Sequence, residues 1–129
     1  MPQNPDTAPN AFSKICPSRS VLARLGQKWT ILAMVALCDQ PLRFVEIRRR
    51  IQGVSDRMLT QTLRAMERDG LVQRTVYNER LPRVEYALSS LALAVLPVAI
   101  ELKKWSESSL ECIEQNMRRF DSSAGSTGC

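Results

Sequence analysis

The chain has 129 residues, of which 44% are hydrophobic and 24% charged, and its formal net charge is +5. This length suffices for one domain with one modest core, which excludes a large multidomain enzyme. The sequence has no run of about 18 apolar residues, and its first ten residues lack the basic start and apolar stretch of a secretory signal. We therefore expect a cytoplasmic protein with no membrane partner.

The positive charge is concentrated in one part of the sequence. Residues 43–83 contain ten arginines and five acidic residues, and the charges of the remaining chain balance. A planar guanidinium group matches phosphate oxygens and guanine edges better than an ammonium group does. This composition favours a nucleic-acid partner, with a merely solvated face as the alternative.

The residues needed for metal binding and for common catalytic mechanisms are missing. The four cysteines show no C-x-x-C spacing and the sequence has no histidine, so we predict neither a zinc site nor a Cys–His nucleophile. Glycine-rich phosphate loops are also absent. We expect no enzymatic activity and no metal or cofactor.

Composition divides the chain into three parts. We predict a flexible, proline-containing leader over residues 1–12 and a flexible tail over residues 121–129. One domain over residues 13–120 lies between them.

Three helical segments open the predicted domain. Ser18 or Ser20 can cap the first, which ends at Leu25, and the second, over residues 27–39, is apolar enough to form the buried centre. The third covers residues 43–51, with its arginines facing outward. Its predicted core residues are Phe44, Ile47 and Ile51.

The fourth helix shows the clearest division into two faces. It begins at Ser55 after a short turn and ends at Gly70, and Leu59, Leu63 and Met66 recur at helical spacing as a core stripe. The opposite side carries Arg57, Gln61, Arg64 and Arg68.

A β-hairpin and a long amphipathic segment follow. Residues 71–77 and 83–89 alternate between apolar and polar side chains, as strands do, and the connecting residues 78–83 contain two arginines and a proline. A helix begins at Ser89 or Ser90, and we expect Pro97 to start a new helix or to kink this one. The apolar pattern continues to Phe120.

These elements predict a mainly α protein with a small β-hairpin (α+β), namely a winged helix-turn-helix with terminal dimerisation helices. The sequence resembles the HxlR-type bacterial transcriptional regulators. The motifs that carry the resemblance span about residues 15–110, in the family's order and spacing, and are "CP" at 16–17, "GQKW" at 26–29, "PLRFVEIRRRI" at 41–51, "VSDRMLTQTLRAMERDGLV" at 54–72 and "PRVEYALS" at 82–89. The resemblance implies a homodimeric DNA-binding repressor or activator.

The last apolar stripe independently suggests a partner surface. A helix that continues beyond the compact core needs a covering surface, and a two-fold copy of the chain is the commonest one. The alternative is that this helix folds back onto its own domain. The expected dimerisation residues are Leu102, Trp105, Ile113 and Met117.

Candidate contacts to a double-stranded DNA operator follow from side-chain chemistry. Gln61 can pair with an adenine edge and Arg64 with guanine, or both can bind phosphate. The Ser55 hydroxyl can cap its helix, while the free amides there are well placed for a phosphate. Arg48–Arg50 either face phosphates or are merely solvated. We interpret Met58 as a packing residue. The expected DNA-binding residues are Ser55, Arg57, Thr60, Gln61, Arg64, Arg80, Arg83 and Arg49.

Cys16 suggests a second role. It precedes a helix start and lies near Lys14 and Arg19, where positive charge would favour the thiolate. The resemblance implies sensing of an oxidant, quinone or aldehyde through a cysteine near this point. The alternative is a small buried apolar residue.

Other functional classes remain open. The domain could be a protein-interaction module, although its localised charge argues against this, or an RNA-binding protein, although its few aromatic residues form no evident stacking platform. A regulator with a non-covalent ligand is a further alternative, since four apolar residues could line a pocket or simply pack in the core. These residues are Trp29, Leu32, Leu102 and Trp105.

Overall fold

The computed structural model describes residues 8–122, so most of the predicted leader and tail lies outside the described residues. Six helices and one two-stranded antiparallel sheet make up this part of the chain. Their bounds are α1 Ser18–Leu25, α2 Lys28–Ala36, α3 Phe44–Arg50, α4 Asp56–Arg68, β1 Val72–Tyr77, β2 Arg83–Leu88, α5 Ser90–Ser108 and α6 Leu110–Asp121. The predicted mainly helical fold with a hairpin is confirmed.

The core forms around α2, which packs against α1, α3, α4 and α5. Ala33 and Met34 on α2 are almost completely buried, and the apolar stripe of α4 meets them from the other side. Leu59, Leu63 and Met66 are each at most 1% exposed, as the periodicity predicts. This packing fixes the rotation of α4 about its own axis.

The turn between α3 and α4 sets where α4 begins. Gly53 has a φ of +88°, a left-handed conformation that favours glycine, and the neighbouring Val54 is buried. The Ser55 hydroxyl then accepts a hydrogen bond from the Met58 amide at 3.0 Å, which confirms the predicted cap. Gly70, with φ +78°, follows the other end of α4.

Strands β1 and β2 pair from Val72 opposite Leu88 to Tyr77 opposite Arg83, and we call this hairpin with its loop the wing. An isolated bridge between Leu42 and Tyr86 ties the wing to the segment before α3. The two residues exchange backbone hydrogen bonds of 3.0 and 2.8 Å. The wing is thereby oriented relative to the α3–α4 unit, a contact that the sequence did not reveal.

The prediction that Pro97 starts a new helix is wrong. Helix α5 runs through Pro97, and the break falls instead at Ser109. Because proline has no amide hydrogen, Pro97 cannot donate the helical hydrogen bond to the Leu93 carbonyl. Both residues are exposed, so water can bind that carbonyl. Leu96 and Ala99 on the other side are buried and hold the helix against the core.

The predicted serine cap of α1 is also wrong. Pro17 occupies the N-cap position and no side chain caps the helix. The Ser18 hydroxyl lies instead 3.0 Å from the Cys16 sulfur. Turns over residues 10–16 lead directly into the helix, so its first amides bond the backbone carbonyls of Cys16 and Pro17.

Candidate nucleic-acid interface

The exposed face of α4 carries the side chains that the sequence analysis selected for DNA contact. Arg57, Thr60, Gln61 and Arg64 are all exposed. Met58, interpreted as a packing residue, is 37% exposed because it lies one residue, about 100° of helix rotation, before the buried Leu59. Its thioether therefore adds an apolar element to this polar face.

The first turn of α4 is stabilised by two interactions. Its Ser55 cap leaves other helix N-terminal amides free, an arrangement suited to an anion. Arg48 on α3 donates to the Asp56 carboxylate at 2.7 Å, and both side chains are well exposed. Arg49, the neighbouring candidate, is exposed and makes no ion pair within residues 8–122.

The last turn of α4 is held by an ion pair that the sequence analysis missed. The Arg24 guanidinium donates two hydrogen bonds to the Asp69 carboxylate, at 2.8 and 2.9 Å. These hydrogen bonds lower the pKa of Asp69 below its ordinary value. The pair joins α1 to the C-terminus of α4 across 45 residues of sequence, a separation that no local pattern marks.

The two wing arginines differ in their surroundings. Arg80 is exposed in the loop, whereas Arg83 packs over the Tyr77 ring, 4.5 Å from its centroid. Oxygens of Glu79 and Glu85 lie 3.7 and 3.6 Å from its guanidinium nitrogens. Because two carboxylates offset its charge, Arg83 is less available to a phosphate than predicted.

Arg74 is a candidate that the sequence analysis did not select. Its side chain is exposed on β1, where residues 73–76 all face solvent. The signal in the sequence is the run of three polar residues at 73–75, which departs from strict alternation and marks this part of the strand as exposed.

Cys16 lies within a small hydrogen-bonded turn. Its sulfur accepts the Asn10 amide at 3.3 Å and lies 3.0 Å from the Ser18 hydroxyl. The Ser18 side chain, followed by the Ser18 and Asn10 amides, lowers the pKa of the Cys16 thiol below its ordinary value. Hydrogen bonds, and not the nearby cations that the sequence analysis invoked, therefore lower the pKa of this thiol.

Arg19, predicted to act on the thiol by charge, instead binds the backbone of this turn. Its guanidinium donates to the carbonyls of Ala11 and Phe12, at 3.0 and 2.7 Å. The turn that surrounds Cys16 is thus tied to α1 by a second group of hydrogen bonds.

The predicted dimerisation residues lie on two apolar stripes. Leu102 and Trp105 on α5 are 47% and 58% exposed, Met117 on α6 is 57% exposed, and Ile113 is half-buried. Further exposed apolar residues extend the stripes at helical spacing: Leu91 and Val98 on α5, and Leu110 and Phe120 on α6. We call these the α5 and α6 stripes.

The four residues considered for a ligand pocket do not come together in one cavity. Leu32 and Leu102 line a common groove. Trp29 packs against the core, with the Lys28 ammonium 4.6 Å from its ring centroid, and Trp105 faces outward. Core packing is therefore the correct interpretation for Trp29.

Residues 8–122 contain neither a metal-binding cluster nor a membrane-spanning helix. No cluster of three or more histidine, cysteine or acidic side chains there is arranged to hold a metal ion. No helix in this range combines the length and apolar character needed to cross a membrane.

The α3–turn–α4 unit and the hairpin that follows it define a winged helix-turn-helix protein. The HxlR-like helix-turn-helix family matches residues 24–114, and the chain belongs to this family. The resemblance identified from the sequence motifs is confirmed.

Similar proteins agree with this assignment. The HTH-type transcriptional regulator YtfH of Escherichia coli (strain K12) is 42% identical over 101 residues, which cover 78% of this chain and 80% of the relative. The solved structure of the transcriptional regulator YtfH from Salmonella typhimurium matches with a TM-score of 0.80 and 39% identity, covering 86% of this chain and 99% of that one. The redox regulator HypR in its reduced form matches with a TM-score of 0.69 and 35% identity, covering 77% and 98% of the two chains. The chain is therefore a transcriptional regulator with a helix-turn-helix.

The ion pair between Arg24 and Asp69 predicts a pH-dependent contribution to stability. Because the pKa of Asp69 is lowered in the folded state, this contribution is full above the ordinary value of 3.8 and disappears as pH falls through the lower folded value. Asp69→Asn should therefore lower the free energy of unfolding at neutral pH, and its difference from the parent should shrink below pH 3.8. Urea denaturation across this range measures the effect.

Asp56→Asn, which removes a more exposed ion pair, is the matched control and should cost less. Equal stability of Asp69→Asn and the parent at neutral pH would contradict the assignment.

Proposed function

We propose that this protein is a sequence-specific, double-stranded DNA-binding transcriptional regulator that acts as a homodimer through the domain of residues 13–120. The observation that carries the proposal is the exposed face of α4. Its core stripe is buried, so its arginine and amide side chains point together away from the protein. A helix of this kind fits a major groove, which is why we assign α4 as the recognition helix.

The candidate contacts divide into base reading and phosphate binding. Gln61 and Arg64 lie in the middle of the exposed face, where they can pair with adenine and guanine edges, and Arg57 and Thr60 flank them. The free amides behind Ser55 suit a phosphate, as do the exposed Arg49 and Arg80. Arg83 positions the wing through Tyr77 and its two glutamates, and contributes less to DNA directly.

The apolar stripes support the homodimer. Leu102 and Trp105 on the α5 stripe and Met117 on the α6 stripe are largely uncovered, and Ile113, one helical turn before Met117, is half-buried. Several large apolar residues exposed side by side are typical of an association surface. A two-fold partner would cover both stripes and set the spacing of two recognition helices for a palindromic operator.

Cys16 supports a response to an oxidant, quinone or aldehyde. Its lowered pKa favours the thiolate, which is the nucleophilic form, and the similar protein HypR is named a redox regulator. A thiolate that adds to a quinone ring forms a sulfur–carbon bond, and proton transfer then gives a substituted hydroquinone. Such an adduct would displace the hydrogen bonds from Asn10 and Ser18 and disturb the start of α1.

The DNA contacts can be tested by comparing alanine variants of the proposed base-reading and phosphate-binding residues. Arg64→Ala or Gln61→Ala should cost about 1–3 kcal/mol of operator binding and relax base preference, because each removes a base-reading group. Arg80→Ala should weaken all sequences alike and reduce the salt slope by about one, because it removes a phosphate contact. Fluorescence anisotropy at several salt concentrations measures both effects. Arg118→Ala, on the exposed side of α6, is the control. Parent-like binding by Arg64→Ala, Gln61→Ala and Arg80→Ala would rule out the proposed interface.

The homodimer can be tested by light scattering. The mass should be twice 14.6 kDa at micromolar concentration. Leu102→Glu should shift the protein toward the monomer, because a carboxylate cannot be buried in an apolar interface without a partner. Lys104→Glu, exposed beside the α5 stripe, should leave the dimer intact. A strict monomer with and without DNA is the result that refutes dimerisation.

The thiol response can be tested with p-benzoquinone. Modification of the parent should lower operator affinity, because the adduct disrupts the turn around Cys16, and Cys16→Ser should not respond. Cys38→Ser is the matched control and should respond as the parent does, because the partly buried Cys38 has a raised pKa. Anisotropy measures affinity and mass spectrometry locates the adduct. Quantitative modification of Cys16 with unchanged affinity would eliminate the switch.

A further inference from the structure

A cavity of about 330 Å³ lies between α1, the C-terminal end of α4 and the N-terminal part of α5. Its volume falls at the lower end of the range for small-molecule sites, about 300–1,000 Å³. Met66, Leu71 and Val95 contribute to its largely apolar wall. An apolar space of this kind gains contacts when an apolar molecule fills it, and it holds water poorly.

The polar groups of the cavity restrict the charge of an occupant. Arg24 and Asp69 line it, but their two hydrogen bonds join them into a pair with no net charge. An anion would be attracted by the guanidinium and repelled by the adjacent carboxylate, and a cation would meet the reverse. The cavity therefore offers no net opposite charge to either kind of ion. An ionised ligand would lose its hydration without gaining a partner.

One hydrogen-bonding group in the cavity is available. Thr30 on α2 is 6% exposed and lines the cavity, and its hydroxyl makes no hydrogen bond within residues 8–122. A hydroxyl or carbonyl group of a ligand in this space can form a hydrogen bond with the Thr30 hydroxyl. The site thus combines an apolar wall with a single polar contact, the usual composition of a small-molecule site.

We propose that this cavity binds a small uncharged molecule of one or two rings that carries one hydroxyl or carbonyl group, which Thr30 recognises. The proposal goes beyond DNA binding and thiol chemistry, since it concerns a reversible, non-covalent site. The occupant would contact both Met66 and Asp69 at the end of α4. Binding there is measured without DNA, so its failure leaves the proposed regulator function untouched.

Three naphthalene derivatives separate the proposed requirements. 1-Naphthol is neutral and polar at one position, naphthalene lacks the polar group, and 1-naphthoate replaces it with a charge. Isothermal titration calorimetry of the full chain should rank 1-naphthol first. Thr30→Val should weaken 1-naphthol binding by about two- to tenfold and leave naphthalene unchanged, because only the hydrogen bond is lost.

A filling variant locates the site. Ala65 lines the cavity, so Ala65→Leu should occupy its space and weaken 1-naphthol binding by about tenfold or more. Ala23→Leu, the same change at an exposed position on α1, should bind as the parent does. Intermolecular NOEs from 1-naphthol to the Met66 and Leu71 methyl groups of the parent locate the ligand even if the filled variant fails to fold.

Three outcomes would overturn the proposal. These are no saturable binding of 1-naphthol up to millimolar concentration, equally tight binding of 1-naphthoate, and NOEs to Trp105 or to the α6 stripe in place of the cavity residues. Binding with NOEs to Met66 and Leu71 and the expected weakening in Thr30→Val would support it.

Discussion

Burial of the apolar stripe of α4 is the constraint on which the rest of the structure depends. Leu59 and Leu63 pack with α2 in the core, and truncation of such side chains typically costs about 2–5 kcal/mol. Because this packing fixes the rotation of α4, the polar face can only point away from the protein. Two contacts distant in sequence then complete the geometry: Arg24 with Asp69 at the end of α4, and Leu42 with Tyr86 at the wing.

Charge on this surface depends on pairing as much as on composition. Arg48 and Arg83 both lie near carboxylates, whereas Arg64, Arg74 and Arg80 make no ion pair within residues 8–122. The unpaired arginines keep their full charge for a polyanion and lie on α4 and the wing. The net charge of a sequence segment therefore overestimates the number of arginines that are free to bind phosphate.

Helix α5 connects three surfaces of different character. Leu96 and Ala99 belong to the core, Val95 borders the cavity, and Leu102 and Trp105 extend the uncovered α5 stripe. A helix that is apolar on most of its circumference must contact several partners. The buried side of α5 packs against the core both before and after Pro97. This packing explains why the helix continues through the proline, where a break was expected.

The sequence by itself determined several local features: the α4 stripe, the Ser55 cap, the glycine that follows α4 and the presence of the two strands all depend on neighbours within a few residues. These features were predicted because hydrophobic periodicity and capping are local. Only the tertiary structure decided that two carboxylates lie near Arg83, that hydrogen bonds surround Cys16, that Arg24 holds Asp69, and that a cavity opens beside Thr30. Each of these depends on distances between side chains that the packed core sets, and spacing along the chain does not encode such distances.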